Sequence, residues 1–178
     1  MSYKLIYFPL AARGEAVRMA LAHAKADWTD ERITGEEFGP RKAAGEFPNG
    51  QLPVLVYNGK YLNESLAMLR FVGKQFGYYP ADHLEAWQAD ALVDYTNDFI
   101  AKLYPPHYHK KNDEESIAEY KKNITTMSAF YEKHLKDHGK NFIAGDKITT
   151  ADFAIAAAIF TFVFNEHLGG GADFTTVG

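Results

Sequence analysis

Gly50-Gln51-Leu52-Pro53-Val54-Leu55-Val56-Tyr57-Asn58-Gly59-Lys60-Tyr61-Leu62-Asn63-Glu64-Ser65-Leu66-Ala67-Met68-Leu69-Arg70-Phe71 is the stretch around which the rest of the chain is arranged. Val54 to Tyr57 is a run of apolar and β-branched residues, Asn58-Gly59 is the strongest short hairpin signal, and Lys60 to Leu62 reads as the returning strand. Ser65 then opens a helix as its expected N-cap, with Leu66, Leu69, Val72, Gly73 and Phe76 at the three-and-four spacing of a buried face. Unpaired amides at a helix start favour a carboxylate. Pro53 can begin a strand but cannot sit in its middle, which leaves the peptide groups of Leu52 open to pairing outside the sheet. Read locally and no further, the same pattern is a hairpin packed on a helix.

Upstream, Tyr3 to Phe8 has strand composition and stops at Pro9. From Gly14 the pattern turns helical, with Val17, Ala20, Leu21 and Ala24 on one face and Arg13, Glu15 and Arg18 towards the other. A second strand-like run, Trp28 to Ile33, completes a right-handed βαβ unit, to which the hairpin adds two antiparallel strands and a helix. The layout is thioredoxin-like, yet Leu10-Ala11-Ala12-Arg13 stands where a Cys-x-x-Cys would be. The chain has no cysteine, so disulfide exchange, a thiolate metal site and a cysteine nucleophile are all excluded.

Downstream, Gly77-Tyr78-Tyr79-Pro80 closes a helix and places a domain boundary near residue 80. The pattern predicts a helix from about His83 to Tyr104 that buries Leu84, Trp87, Ala91, Tyr95, Phe99 and Leu103, with Asp90, Asp94 and Asp98 stacked on another face. Pro105-Pro106 should end or kink it, and Lys110 to Glu115 reads as a solvated connection. A long amphipathic helix carries Ile117, Tyr120, Ile124, Met127 and Tyr131, and Gly139 ends it. Thr149-Thr150-Ala151-Asp152 has capping-box spacing, with Ile148 and Phe153 placed as a hydrophobic staple. The helix that follows, Ala151 to Phe164, is apolar all round, as in a helix buried in the middle of its domain.

The chain has 178 residues and a formal charge of −4. That charge argues against a nucleic-acid or anionic-membrane partner, since both reward a basic face. The first apolar run, Leu5 to Leu10, is too short for a membrane span and lacks signal-peptide flanks. These features predict a soluble cytoplasmic protein that acts on small molecules.

The sequence resembles the cytosolic glutathione transferases of the tyrosine type, most closely the sigma-like class. The resemblance rests on Tyr7-Phe8-Pro9 with Arg13 and Glu15, Gly50-Gln51-Leu52-Pro53, Glu64-Ser65-Leu66-Ala67, Val93-Asp94 with Asn97-Asp98, and Gly145-Asp146 leading into Thr149-Thr150-Ala151-Asp152. It implies an α/β plus all-α architecture. A thioredoxin-like glutathione-binding domain, residues 1–79, carries a mixed four-stranded sheet, and an all-helical domain, residues 80–178, follows without counterparts of the family's last helices. It also implies a homodimer that conjugates the glutathione thiolate to small hydrophobic electrophiles, with glutathione as co-substrate and no metal required. A prostaglandin D synthase-like isomerase and a ligandin- or crystallin-like binding protein share these markers and remain alternatives.

The resemblance also assigns residues. Tyr7, supported by Arg13, is the candidate catalytic group, because a phenol O–H beside the sulfur favours the thiolate by donating to it. The main chain of Leu52, ahead of Pro53, would pair with the cysteinyl backbone of glutathione as an added strand. Glu64 and Ser65 would hold the γ-glutamyl end, and Phe38 stands at the glycyl end. Gln51 and Lys42 are further glutathione-binding candidates, with plain surface the equal alternative for Lys42, and Asp98 would reach the γ-glutamyl ammonium held by the other subunit. Phe8, Leu10, Tyr104 and Tyr108 would line the electrophile pocket. Three departures stand out. Glu64 replaces the glutamine usual in sigma-like relatives. Phe38 stands where many relatives have tryptophan and so lacks an indole donor. Asn49 is not the aromatic wedge of the alpha, mu and pi dimers, which predicts a more polar interface.

Overall fold

The computed structural model describes residues 2–108 and 113–164, with the side chains of 105–108 outside that description. Its strands are β1 (Tyr3–Tyr7), β2 (Trp28–Arg32), β3 (Val54–Tyr57) and β4 (Lys60–Leu62). Its helices are α1 (Glu15–His23), α2 (Gly35–Ala43), α3 (Ser65–Phe76), α4 (His83–Tyr108), α5 (Glu114–His138) and α6 (Thr150–Phe162). The chain separates into two compact units, Met1–Tyr79 and Pro80–Gly178.

The first unit is built on one mixed sheet of order β2-β1-β3-β4. β1 runs parallel to β2 through the α1 crossover and antiparallel to β3. Asn58 and Gly59 both have positive φ, 48° and 74°, as a two-residue primed turn requires, and Tyr57 pairs directly with Lys60. α1 and α3 pack against each other. On one side a small core of Ile6, Ile33, Phe47 and Val54 is closed by the partly buried Phe38, Leu52 and Val56.

The first unit departs from the sequence reading in three places. α2 was not foreseen. It buries none of its residues, so it carries no apolar stripe to read, and it starts on a capping box in which the Thr34 hydroxyl accepts from Glu37 N while the Glu37 carboxylate accepts from Thr34 N. Arg18 does not face away from the core: it is 5 % exposed. The residue that caps α3 is Glu64, at φ 66° and without a side-chain capping bond, and Ser65 is the first helical residue.

In the second unit α4 packs against both α5 and α6. The Tyr131 hydroxyl lies 2.6 Å from Thr96 Oγ1, tying α5 to α4, and the Tyr120 hydroxyl donates to the Phe162 carbonyl at 2.5 Å, tying α5 to α6. Burial pushes the Tyr131 phenol up to about 12, against the opposing hydrogen bond with Thr96. The capping box at Thr149 and Asp152 forms as its spacing predicts. The buried face of α4 is the expected one at Phe99 and Leu103 and differs from it over the first half of the helix. It consists of Ala89, Leu92, Val93, Thr96, Phe99 and Leu103, while Leu84 and Trp87 are 73 % and 65 % exposed. α4 also continues through Pro105 and Pro106 to Tyr108. Asp113 is not plain linker but the N-cap of α5, accepting from Ser116 N. Although α6 is apolar all round, Phe160 on it is 46 % exposed.

Candidate functional site

Tyr7 closes β1, and its carbonyl accepts from Ile33 N at 2.9 Å, extending the β1–β2 pairing by one bond. Its ring is buried at 6 % exposure. A Cβ placed on Gly14, the N-cap of α1, would lie 2.6 Å from Tyr7 Cδ1, so only glycine lets the helix start this close to the ring. The turn after Tyr7 brings Phe8 against it, with ring centroids 5.7 Å apart.

From Phe8 a line of contacts runs across the unit. Phe8 meets Phe38 of α2 edge to face at 5.5 Å, and Phe38 stacks on Phe47 at 5.6 Å. Lys42, one turn along α2, places Nζ 5.6 Å over the Phe38 ring. The stem of Lys42 lies against Gly50, whose positive φ of 59° turns the chain towards Gln51 and Leu52. The Leu52–Pro53 peptide bond is cis, and β3 begins only at Val54, so Leu52 stays ahead of the ladder. Asn49 Nδ2 donates to Glu64 Oε1 at 3.1 Å, joining this loop to the start of α3. Ring contacts and the Lys42 stem thus link Tyr7, Phe8, Phe38 and Lys42 to the loop that carries Gln51, Leu52 and Pro53, and the Asn49 bond links that loop to Glu64, next to Ser65, in one line that forms the Tyr7–Ser65 edge of the first unit. Lys42, Gln51 and Glu64 are exposed on it.

Leu10 is half-buried in the turn after Tyr7, while Arg13 is exposed and forms no ion pair among the described residues. Asp98, Tyr104 and Tyr108 belong to α4 in the second unit. Asp98 is exposed, Tyr104 is 39 % exposed, and the Tyr108 side chain lies outside the described residues. Of the acidic row, Asp90 is half-buried and Asp94 exposed. Among the described residues no three His, Cys, Asp or Glu side chains are grouped to hold a metal ion, and no helix is long and apolar enough to cross a membrane.

Sequence reasoning missed three contributors to this edge. Arg18 donates from Nε to Asp30 Oδ1 at 3.0 Å, from Nη1 to the Leu10 carbonyl at 2.7 Å and Glu15 Oε2 at 3.1 Å, and from Nη2 to the Phe8 carbonyl at 3.1 Å. Gly14 admits the Tyr7 ring, and Asn49 bonds Glu64. Only Gly14 left a sequence signal, a glycine between a strand and a helix. Arg18 depends on partners 3 to 12 residues away on three different segments, and Asn49 on a partner 15 residues away.

α2, which carries Phe38 and Lys42, is held by charge in addition to the packing of Phe38. Arg41 bridges Glu31 of β2 at 2.6 Å and Glu46 beyond the helix, Lys4 of β1 meets Glu31 at 2.8 Å, and the Arg41 guanidinium lies 5.4 Å over the Phe47 ring. Burial pushes the Glu31 carboxyl up, but hydrogen bonds from Lys4 and Arg41 outweigh it and hold the group below its usual range. The Arg41 hydrogen bond does the same for Glu46.

Comparison with known proteins places these features. Residues 1–74 match the family model of the glutathione S-transferase N-terminal domain, and residues 94–171 match that of the C-terminal domain. The Caenorhabditis elegans protein named "Probable glutathione S-transferase 6" is 33 % identical over 164 residues, covering 86 % of this chain and 77 % of the relative. Among solved structures, a monomeric glutathione S-transferase of the hookworm Necator americanus superposes with a TM-score of 0.81 at 28 % identity, over 98 % of this chain and 88 % of the other. A prostaglandin synthase D of Nilaparvata lugens gives 0.78 at 25 % identity, over 89 % and 80 %.

Proposed function

The chain belongs to the glutathione S-transferase family, and from that premise we propose that the edge running from Tyr7 to Ser65 is where it holds glutathione. It is a glutathione transferase, joining the glutathione thiolate to small hydrophobic electrophiles. The observation that carries the residue assignment is the continuous line of contacts from Tyr7 through Phe8, Phe38 and Lys42 to Gly50, closed onto the start of α3 by Asn49 and Glu64.

In this reading the Tyr7 hydroxyl donates to the sulfur and stabilises the thiolate, with Arg13, at the far end of the turn that follows it, in support. The thiol proton leaves to solvent. The sulfur pair then forms a bond to the electrophilic carbon, and on an aryl halide the halide leaves with the electrons of the broken bond. Leu52, ahead of the strand, offers its main chain to the cysteinyl unit. Ser65 and the free amides of α3 take the γ-glutamyl carboxylate, Glu64 and Gln51 take the ammonium end, and Lys42 takes the glycyl carboxylate with Phe38 as an apolar wall. Phe8 and Leu10 belong to the acceptor side, joined in the resemblance by Tyr104 and Tyr108. This chemistry needs no metal, because the phenol supplies the stabilisation. A sigma-like class, a cytoplasmic homodimer and a detoxifying role complete the proposal, with Asp98 serving the glutathione of the partner subunit.

The likeness to a prostaglandin synthase D favours one second reading, isomerisation of a prostaglandin-type peroxide with glutathione regenerated. Conjugation to a generic aryl halide tests the leading one. The wild-type chain should turn over, and Tyr7→Phe should lower the rate roughly 10²-fold with little change in glutathione affinity. Glutathione binding without any turnover on a panel of electrophiles would instead support a carrier.

A further inference from the structure

We propose that Arg18 is a positioning residue for the thiol chemistry, acting through Tyr7, an inference that rests on the assignment of Tyr7 as the donor to sulfur. A buried guanidinium is costly unless every N–H finds a partner, and the partners of Arg18 are not ordinary core groups. Two are the carbonyls of Phe8 and Leu10, the residues of the turn that follows Tyr7. The other two are the carboxylates of Asp30 on β2 and Glu15 on α1. Its guanidinium carbon also lies 5.5 Å from the Tyr7 ring centroid.

One planar cation thus joins three elements around the tyrosine. Asp30 fixes the guanidinium to the sheet, Asp30 itself being shared with Arg32 at 2.7 Å. Glu15 fixes it to the first turn of the helix. The two carbonyls then hang the Phe8–Leu10 turn from it, while Gly14 confines the tyrosine ring through the start of the same helix. The direction of the Tyr7 hydroxyl depends on where β1 ends and where the turn leaves it, and Arg18 sets both. Lysine cannot substitute, because its ammonium is a compact point charge that does not span two carbonyls and a carboxylate in one plane.

The test reads the ionisation of bound glutathione directly, by thiolate ultraviolet absorbance at pH 7, alongside affinity for S-methylglutathione, which has no thiol to ionise. Arg18→Lys should lower the thiolate-to-thiol ratio roughly tenfold, equal to a one-unit change in the thiol. Affinity for S-methylglutathione should stay within about twofold, because no glutathione-holding group is removed. In a Tyr7→Phe background, Arg18→Lys should add no further loss, since both act through one hydroxyl. A merely structural arginine would lower stability and analogue binding together and leave the ratio alone. A wild-type ratio in Arg18→Lys, or an equal loss with and without the tyrosine hydroxyl, overturns the proposal. Should Arg18→Lys fail to fold, Asp30→Asn releases the guanidinium from the sheet and should move the ratio the same way by a smaller amount, and an unchanged ratio there overturns the proposal equally. A wild-type ratio in Tyr7→Phe removes the underlying reading, whereas loss in Tyr7→Phe with none in Arg18→Lys removes only the role of Arg18.

Discussion

Gly14 is where the identity of a single residue matters most. Its missing side chain is what lets the start of α1 approach the Tyr7 ring, since a Cβ there would sit 2.6 Å from Cδ1 and 3.1 Å from Cγ. Neither neighbour can yield cheaply, because the ring is buried and the helix start is fixed by Arg18 and Glu15. Gly14→Ala should therefore destabilise by about 1–3 kcal/mol, the usual cost of overpacking, and lower kcat for conjugation more than it raises KM for glutathione. Thermal unfolding and steady-state kinetics check both halves, and wild-type kcat in a folded Gly14→Ala protein would show that the ring has room to spare. At this scale the sequence was partly legible. Tyr7 could be placed because a strand composition ends beside it. Arg18 could not, because helical periodicity counts an arginine as outward-facing, and its burial is made tolerable by carbonyls and a β2 carboxylate that only the folded chain brings near.

Elements differ in what holds them. α6 starts on a capping box in which Asp152 accepts from Thr149 N at 2.7 Å and from Ile143 N at 3.0 Å, so its carboxylate closes the preceding loop as well as the helix. Thr149→Ala should cost about 1 kcal/mol as a lost cap. Asp152→Ala, which leaves two amides unpaired, should cost about 1–3 kcal/mol, the larger of the two in thermal unfolding. Equal stability of both variants with wild type would contradict the capping account. α2, by contrast, is attached by the ion pairs of Arg41 and Lys4 with Glu31 and Glu46. Both carboxyls are held below their ordinary range in the fold, so their contribution is present above the unfolded carboxylate value of about 4.3 and is lost as pH falls through the folded values. The hydrogen-exchange protection of residues 35–43, taken relative to the intrinsic rate at each pH, should fall on acidification below about pH 4, before that of the sheet; protection that falls uniformly across the first unit would contradict a charge-held helix. These contrasts explain which elements were readable. The Asn58-Gly59 hairpin and the Thr149 box carry local chemistry that specifies their geometry. α2 lacks an apolar stripe, and its Thr34-x-x-Glu37 box was its one local signal. The first half of the α4 face was misread because Leu84 and Trp87 were assumed to be inside with Phe99 and Leu103, whereas the packing there uses Ala89, Val93 and Thr96 to bring α5 and α6 close.

At the scale of the whole molecule, the sheet unit carries the proposed chemistry and the helical unit the proposed link to a second copy. Asp98 is exposed on α4, and its proposed role is to meet a ligand ammonium brought by a partner. Asp98→Asn should weaken glutathione binding by about 1.5–3 kcal/mol, the range for a hydrogen bond between charged groups. Calorimetry on protein shown by light scattering to be dimeric checks it, and either a fully active monomer or unaltered binding in Asp98→Asn would make Asp98 part of a solvated face. The central claim, that Tyr7 holds the glutathione sulfur as a thiolate, is tested most directly by the ultraviolet difference spectrum of bound glutathione across pH in wild type and Tyr7→Phe. The account predicts that bound glutathione ionises about one to two pH units lower in wild type than in Tyr7→Phe, with equal affinity for S-methylglutathione; identical ionisation in the two proteins would contradict it.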